Sequence, residues 1–126
     1  MILDTCFLID LQREFRKGEP GRATAFLEAN QDRIFSISVI SVTEFLEGFE
    51  DVADGERLLR AYTRLDVDSG VSSQATAYRR HLRIEGKLIV DFDILIAATA
   101  VAEGVPLVTG NREHFSRLSG LEIEEY

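Results

Sequence analysis

Short apolar runs alternate with longer amphipathic segments along this chain, and this alternation is the feature that most limits its possible folds. Five apolar runs are predicted strands, at residues 2–4, 34–38, 65–67, 106–109 and 121–124. Short, mostly apolar strands separated by helices are typical of a parallel sheet covered by helices on both faces. The sequence therefore predicts an α/β fold with a mainly parallel central sheet.

The segments between the strands carry helical signals: apolar residues every three or four positions, capping residues, and glycine or proline stops. We predict helices over residues 5–15, 23–30, 40–50, 55–64, 72–85 and 93–103, with a helical turn at 112–115. No linker rich in Gly, Ser or Pro and no internal repeat divides the chain. Residues 1–126 are therefore expected to form a single domain.

Composition excludes several classes of protein and of site. The chain shows no signal-peptide pattern and no apolar stretch of the about 18 residues that a membrane helix needs. We therefore expect a cytoplasmic protein that does not contact a membrane. One cysteine and two histidines rule out cysteine-based zinc sites and histidine-rich metal sites. The formal charge of −8 argues against broad, non-specific nucleic-acid binding, which needs many cations.

Three acidic residues stand where ligands bind in a parallel α/β sheet, beyond the carboxyl ends of the strands. Asp4 ends the first predicted strand, Glu44 lies in the helix after the second, and Asp93 begins an almost wholly apolar helix. Carboxylates brought together repel one another unless a cation is present, and hard oxygen ligands suit Mg²⁺ or Mn²⁺. These residues predict a candidate divalent-metal site.

Each acid also has an ordinary structural explanation. Asp4 and Asp93 are both well placed to cap the helices that follow, and capping does not exclude metal binding. Asp91 could be the cap instead, or an acid that supports the ligands. Glu44 points nearly opposite the apolar stripe of its helix, which predicts a solvent-facing side chain unless that face borders an open cleft. The residues alone lead no further than this candidate site.

Four stretches of the chain carry a family likeness. They are MILDTCFLIDL, SVISVTEFLEGF, YRRHLRIEGKLIVDFDILIAATAVAEGVPLVTGN and FSRLSGLEI. The most specific part is D-x-L-I-A-A-T-A followed at the right distance by L-V-T-x-N. Together, over essentially the whole chain and in order, they resemble PIN-domain ribonucleases. The strongest likeness is to the VapC toxins of bacterial and archaeal toxin–antitoxin pairs.

This resemblance implies a three-layer α/β/α sandwich and Mg²⁺- or Mn²⁺-dependent endoribonuclease activity, in which a metal-activated water hydrolyses an RNA phosphodiester bond. The three acids of the family, which hold the metal and carry catalysis, match Asp4, Glu44 and Asp93 rather than Asp91. Thr5 belongs to the matching D-T pair and is a supporting residue.

The end of the fourth predicted strand matches the family's T-x-N turn, through Thr109 and Asn111. A fourth acidic position, three residues after that Asn in many members, is His114 here. Glu113 is adjacent and could serve instead, although successive helical residues point about 100° apart. This departure from the family pattern leaves a second ion open, and we expect one well-held ion.

A basic strip of Arg79, Arg80, Arg83 and Lys87 falls within about 100° on one predicted helix face. Such a strip is often an ordinary solvated face. The resemblance makes it a candidate contact to the RNA backbone, which would position RNA without reading its sequence.

The resemblance further implies a homodimer and a cognate antitoxin protein that lies along the active-site groove, where an acidic toxin suits a basic inhibitor. Transfer, ribosomal and messenger RNA all remain possible substrates. A catalytically degenerate PIN-like binding module is the main alternative, because of His114. Two other classes also place acidic residues at a sheet edge, but the sequence does not match them. Aspartyl phosphotransferases need an Asp at the position of Cys6, and receiver domains need a lysine at the position of Gly110.

Overall fold

A computed structural model describes all 126 residues as alternating strands and helices around one sheet. The sheet has five strands in the order β3-β2-β1-β4-β5, and every neighbouring pair is parallel. The elements in chain order are β1 (Ile2–Leu3), α1 (Thr5–Lys17), α2 (Arg22–Ala29), β2 (Ser36–Ser38), α3 (Val39–Leu46), α4 (Val52–Leu59), β3 (Thr63–Leu65), α5 (Ser69–Glu85), α6 (Asp91–Glu103), β4 (Leu107–Val108), α7 (Arg112–Phe115) and β5 (Ile123–Glu124).

The central strand β1 shows how the two faces of the sheet are covered. Successive side chains of a strand point to opposite faces, and Ile2 and Leu3 are fully buried in two different hydrophobic clusters. The cluster of Ile2 is filled mainly by α5 and α6, whereas the cluster of Leu3 is filled by α1 to α4. The predicted three-layer α/β/α arrangement is confirmed.

The carboxyl edge of the sheet collects the residues that follow β1, β2 and β4. The backbone N–H of Asp4 donates to the carbonyl of Val108 over 3.0 Å, so Asp4 continues the ladder between β1 and β4 for one more residue. Ser38 ends β2 and caps α3 by accepting a hydrogen bond from the N–H of Ile40 at 3.2 Å. Helices α1, α3 and α7 follow β1, β2 and β4 in the chain and therefore begin near this edge.

The predicted boundaries of α4 and β3 are wrong. Helix α4 begins at Val52 rather than at residue 55, because the side chain of Asp51 caps it by accepting a hydrogen bond from the N–H of Ala53. The helix then ends at Leu59, and β3 lies at Thr63–Leu65 rather than at 65–67, where it pairs with β2.

The expectation that Asp93 or Asp91 caps α6 is also wrong. The helix begins at Asp91, and its N-cap is Val90, which offers no side-chain hydrogen bond. Both aspartates therefore lie in the first turn, where their charges complement the positive end of the helix dipole.

Helix α5 begins three residues earlier than predicted, at Ser69, because the side chain of Asp68 caps it by accepting a hydrogen bond from the N–H of Val71.

The remaining elements differ from the prediction by smaller margins, except that α3 ends at Leu46, four residues before the predicted end. Gly18, Gly86 and Gly104 end α1, α5 and α6 in the left-handed conformation. None of the helices is long and apolar enough to cross a lipid bilayer.

Candidate active site

Asp4 is buried at the carboxyl end of β1, with 5% of its surface exposed. Its Oδ1 accepts a hydrogen bond from the N–H of Thr5 at 2.7 Å and so caps α1. Its Oδ2 accepts from the hydroxyl of Thr109 at 2.7 Å and from the thiol of Cys6 at 2.9 Å. The side chain both caps the helix and lies at the centre of a polar network, so the two explanations of this residue hold together.

Thr109 ties the end of β4 to this network. The residue is completely buried, and its hydroxyl also accepts a hydrogen bond from the N–H of Asn111 at 3.0 Å. Because the hydroxyl donates to Asp4, Thr109 orients a carboxylate rather than an external group. The side chain of Asn111 is exposed and makes no hydrogen bond within the protein.

Glu44 lies on the side of α3 that faces the start of α1. The hydroxyl of Thr5 donates to its Oε2 over 2.5 Å, and the side chain is partly buried. Periodicity alone predicts a solvent-facing glutamate here. The structure instead places it against Thr5, the first residue of α1, because α3 packs beside α1.

Asp93 lies in the first turn of α6 and is held by a residue of a different helix. Its Oδ2 is 2.8 Å from Nε2 of His114, which belongs to the short helix α7. The two side chains are about equally exposed, at 26% and 25%. His114 thus contacts one of the three acids directly.

The carboxylates of Asp4, Glu44 and Asp93 lie close enough to influence one another. Burial is the largest cause that raises the pKa of Asp4, and the charge of Asp93 adds to it, whereas hydrogen bonds from Cys6, Thr109 and Thr5 act in the opposite sense. Burial likewise raises the pKa of Glu44, with further contributions from Asp93 and Asp4, against the hydrogen bond from Thr5. Both acids are thus harder to ionise here than in water.

A divalent cation fits this donor set by charge and by chemistry. A cation among these carboxylates would offset the burial and neighbouring negative charge that raise the pKa of Asp4 and Glu44, and oxygen donors are those that Mg²⁺ and Mn²⁺ prefer. In this structure no group of three or more His, Cys, Asp or Glu side chains is arranged so that it could hold a metal ion by itself, so waters would have to supply ligands. Mg²⁺ commonly keeps several waters and takes only one or two carboxylates, which suits an open site of this kind.

The other residues proposed from the sequence lie in more ordinary surroundings. Asp91 is exposed and forms an ion pair with Arg79. Glu113 is exposed in the first turn of α7.

The basic strip is shorter on the helix than predicted. Helix α5 ends at Glu85 and Gly86 turns the chain, so Lys87 is off the helix and pairs with Glu85. Arg80 and Arg83 are exposed and have no acidic partner.

Two residues of the network were not proposed as site residues from the sequence. Cys6 lies two residues after Asp4 in the first turn of α1, and this spacing after a capping aspartate could have placed its thiol near the carboxylate. Tyr126 donates to Asp10 over 3.0 Å and packs its ring edge-on against Phe7, with 4.6 Å between ring centroids. The contacts of Tyr126 could not be predicted from a local sequence pattern, because its partners lie more than 100 residues away in the chain.

An apolar groove of about 510 Å³ lies between α1, α2, α3 and α4, on the Leu3 side of the sheet. Its walls include Leu8, Leu11, Phe45 and Leu59, and Glu19 lies on its lining. Phe15 borders the groove with 77% of its surface exposed. A large apolar side chain exposed beside an apolar groove is a common mark of a protein-binding surface.

The comparisons with known proteins agree on one family. A family model described as PIN domain matches residues 1–121. The chain is 29% identical to Ribonuclease VapC1 of Methanocaldococcus jannaschii, in an alignment that covers 100% of this chain and 86% of the relative. It is 28% identical to a tRNA(fMet)-specific endonuclease VapC of Shigella flexneri, over 87% of this chain and 88% of the relative.

Solved structures with the same fold include two complexes. The fold matches DNA-bound VapBC from Salmonella typhimurium with a TM-score of 0.82 and 27% identity, over 98% of this chain and 96% of that one. It also matches a toxin–antitoxin complex from Klebsiella pneumoniae with a TM-score of 0.73 and 25% identity, over 95% and 93% of the two chains. By family model, sequence and fold, the chain belongs to the PIN-domain family, among the VapC proteins.

Proposed function

We propose that this protein is a metal-dependent endoribonuclease that acts as the toxin of a toxin–antitoxin pair. The observation that carries the proposal is the meeting of Asp4, Glu44 and Asp93, from three separate elements, at the carboxyl edge of the sheet. Relatives named as VapC ribonucleases support the class of reaction.

The same three carboxylates are the residues that would hold Mg²⁺ or Mn²⁺. Such an ion, when bound, makes a water more acidic and offsets the charge that develops on a phosphodiester during hydrolysis. The part of the protein is to keep the carboxylates in place and ionised.

Two threonines do this positioning. Thr5 holds Glu44, and Thr109 holds Asp4, each through a hydroxyl that donates to a carboxylate oxygen. The amide of Asn111 is free to donate to a phosphate oxygen of the substrate, because no group of the protein engages it. No side chain stands out as an independent general base.

RNA would approach along α5, where Arg80 and Arg83 are exposed and without acidic partners. Cations of this kind bind the phosphate backbone and carry no sequence information. Transfer RNA is the first substrate to test, because one relative is named for it.

We also propose a basic antitoxin segment as the partner and a homodimer as the assembly. The net charge of −8 favours a cationic partner, and one structural neighbour is a toxin–antitoxin complex. The apolar groove beside α1 offers a surface for such a segment, with an apolar floor and the acidic side chain of Glu19 on its lining.

The experiment that tests the function is cleavage of total cellular RNA and of purified transfer RNA by the purified protein. We expect discrete products with Mn²⁺ or Mg²⁺ and none with chelator. Asp93→Asn should lower the cleavage rate by more than about 100-fold. That is more than is usually lost when a residue that only orients a metal ligand is replaced. Asp91→Asn, in the same helical turn, should stay within about threefold of the original rate, because Asp91 pairs with Arg79 at the surface.

Three results would contradict the proposal. They are cleavage that persists in chelator, full activity of Asp93→Asn, and a folded protein that neither binds Mn²⁺ nor cleaves RNA. The last result would favour the catalytically degenerate binding module.

A further inference from the structure

We infer that His114 is a positioning residue for Asp93: its imidazole holds one carboxylate oxygen and leaves the other free for the divalent ion. The inference rests on the proposed function, because it concerns the ion of that site. It assigns a role to a residue that occupies the position of a fourth acid without being one.

The direction of the contact follows from the role proposed for Asp93. Nε2 of His114 lies 2.8 Å from Oδ2 of Asp93. A metal ligand must be an ionised carboxylate, which can only accept hydrogen bonds, and this role therefore assigns the donating N–H to Nε2. Oδ1 of Asp93 has no hydrogen-bond partner within the protein. The carboxylate is therefore held from one side only, and its second oxygen remains available.

The imidazole is fixed in place by its own surroundings. The backbone N–H groups of His114 and Phe115 both donate to the carbonyl of Asn111, at 3.2 and 3.4 Å, which closes the turn of α7. The ring of Phe115 is buried in the core, and its edge-to-face contact with the imidazole has a centroid distance of 5.5 Å. A buried neighbour and a closed turn keep the donor aimed at α6.

A fixed carboxylate binds an ion more tightly than a free one, because less side-chain freedom is lost on binding. Partners that orient a metal ligand commonly contribute 10- to 100-fold to metal affinity. Asp93 has no other such partner, whereas Asp4 has three donors and Glu44 has Thr5. The ion's affinity should therefore depend strongly on His114.

The test measures Mn²⁺ affinity directly, by titration calorimetry on the full chain without RNA. His114→Leu removes the donor while filling similar space, and His114→Gln keeps an amide N–H that can reach Asp93. His81→Leu is the matched control, because it removes the chain's other histidine, which is exposed on α5 and pairs with Glu85. Thermal melting in chelator checks that each variant is folded.

We expect His114→Leu to weaken Mn²⁺ binding by about 10- to 100-fold, with His114→Gln and His81→Leu within about threefold of the original protein. The Mn²⁺ concentration for half-maximal RNA cleavage should rise by the same factor in His114→Leu, while the maximal rate at saturating Mn²⁺ changes little. This split separates an effect on ion binding from general damage to the fold.

Three outcomes would overturn the inference while leaving the proposed function intact. They are unchanged Mn²⁺ affinity in His114→Leu, equal weakening in His114→Gln, and tighter binding in His114→Leu. The second would mean that packing of the ring matters rather than the hydrogen bond, and the third that the imidazole blocks the ion. If the original protein binds no Mn²⁺, the result contradicts the proposed function, and therefore also the inference that rests on it.

Discussion

The hydroxyl of Thr5 donates to Oε2 of Glu44 across 2.5 Å, and this bond joins the first turn of α1 to α3. The two residues are 39 positions apart in the chain. The bond turns a glutamate that lies opposite the apolar stripe of its helix toward the other two acids. The geometry of the site therefore depends on residues that bind no ion themselves.

Removing this hydroxyl should impair cleavage more than folding. In Thr5→Val, Glu44 loses its only hydrogen-bond donor and becomes free to move away. We expect the cleavage rate to fall by about 10-fold or more, while the free energy of unfolding falls by about 0.5–1.5 kcal/mol. Steady-state kinetics and urea unfolding measure the two effects. Thr5→Ser keeps the hydroxyl and should recover most of the rate, and a fully active Thr5→Val would contradict the role assigned to this bond.

Thr109→Val should destabilise the fold as well as the site. The substitution keeps the shape but removes the donor to Asp4 and the acceptor for the N–H of Asn111, both at a buried position. Loss of a partner for buried polar groups costs about 1–3 kcal/mol, which urea unfolding would measure. Thr109→Ser serves as the comparison and should lose less. A change below about 0.5 kcal/mol in Thr109→Val would mean that water replaces the hydroxyl.

The raised pKa of Glu44 predicts how stability depends on pH without metal. Burial is its main cause, followed on the raising side by the charges of Asp93 and Asp4. A carboxyl whose pKa is higher in the folded state favours folding while protonated. That contribution is complete below the unfolded pKa of about 4.3 and is lost as the pH rises through the folded value.

Glu44→Gln removes the charge but keeps an acceptor for Thr5. In chelator at pH 7, its melting temperature should exceed that of the original protein by roughly 1–4 °C, a small shift because solvent screens a partly exposed group. The difference should shrink toward pH 4. With Mn²⁺ at pH 7 the order should reverse, because only the intact carboxylate set gains stability from the ion. A lower melting temperature of Glu44→Gln in chelator at pH 7 would refute this account.

The two unpaired arginines of α5 predict a salt-dependent effect on RNA binding. Arg80→Glu combined with Arg83→Glu should weaken binding, and the slope of log affinity against log salt should become shallower by about 0.7 for each lost contact to single-stranded RNA. Fluorescence anisotropy at several salt concentrations measures this slope. Arg33→Glu is the control, because Arg33 precedes β2 and lies at the opposite, amino edge of the sheet. Equal slopes for all three proteins would make the strip an ordinary solvated face.

Much of the architecture follows from local patterns in the sequence. The runs at β1 and β4 are short, apolar and separated by helices, which is the pattern of buried parallel strands. Glycines after α5 and α6 mark where these helices end. The start of α4 was misplaced, because the capping signal of Asp51 lies among other acidic residues and is hard to distinguish from them. Because α4 was predicted too late in the chain, over residues that include the start of β3, the strand was also predicted too late.

The site could be predicted only as far as single residues reveal their position. Asp4 stands at the end of an apolar strand, and this location is visible in the sequence. The contact of His114 with Asp93 is not, because it depends on how closely α7 approaches α6, and the two residues are 21 positions apart in the chain. The bond from Cys6 to Asp4 is local and could have been inferred, whereas that from Tyr126 to Asp10 could not.

The position of β1 in the middle of the sheet sets an order on assembly during synthesis. Ile2 and Leu3 of β1 pair with β2 on one side, but their pairing is complete only after β4 has been made. Asp4 and Thr109 are separated by 105 positions, and contacts between such distant residues form late and slowly. A nascent chain that stops short of β4 thus has the acids of Asp4 and Glu44 without the threonine that holds the first of them. The cleavage activity proposed for this protein would then arise only after β4 has been made and has paired with β1.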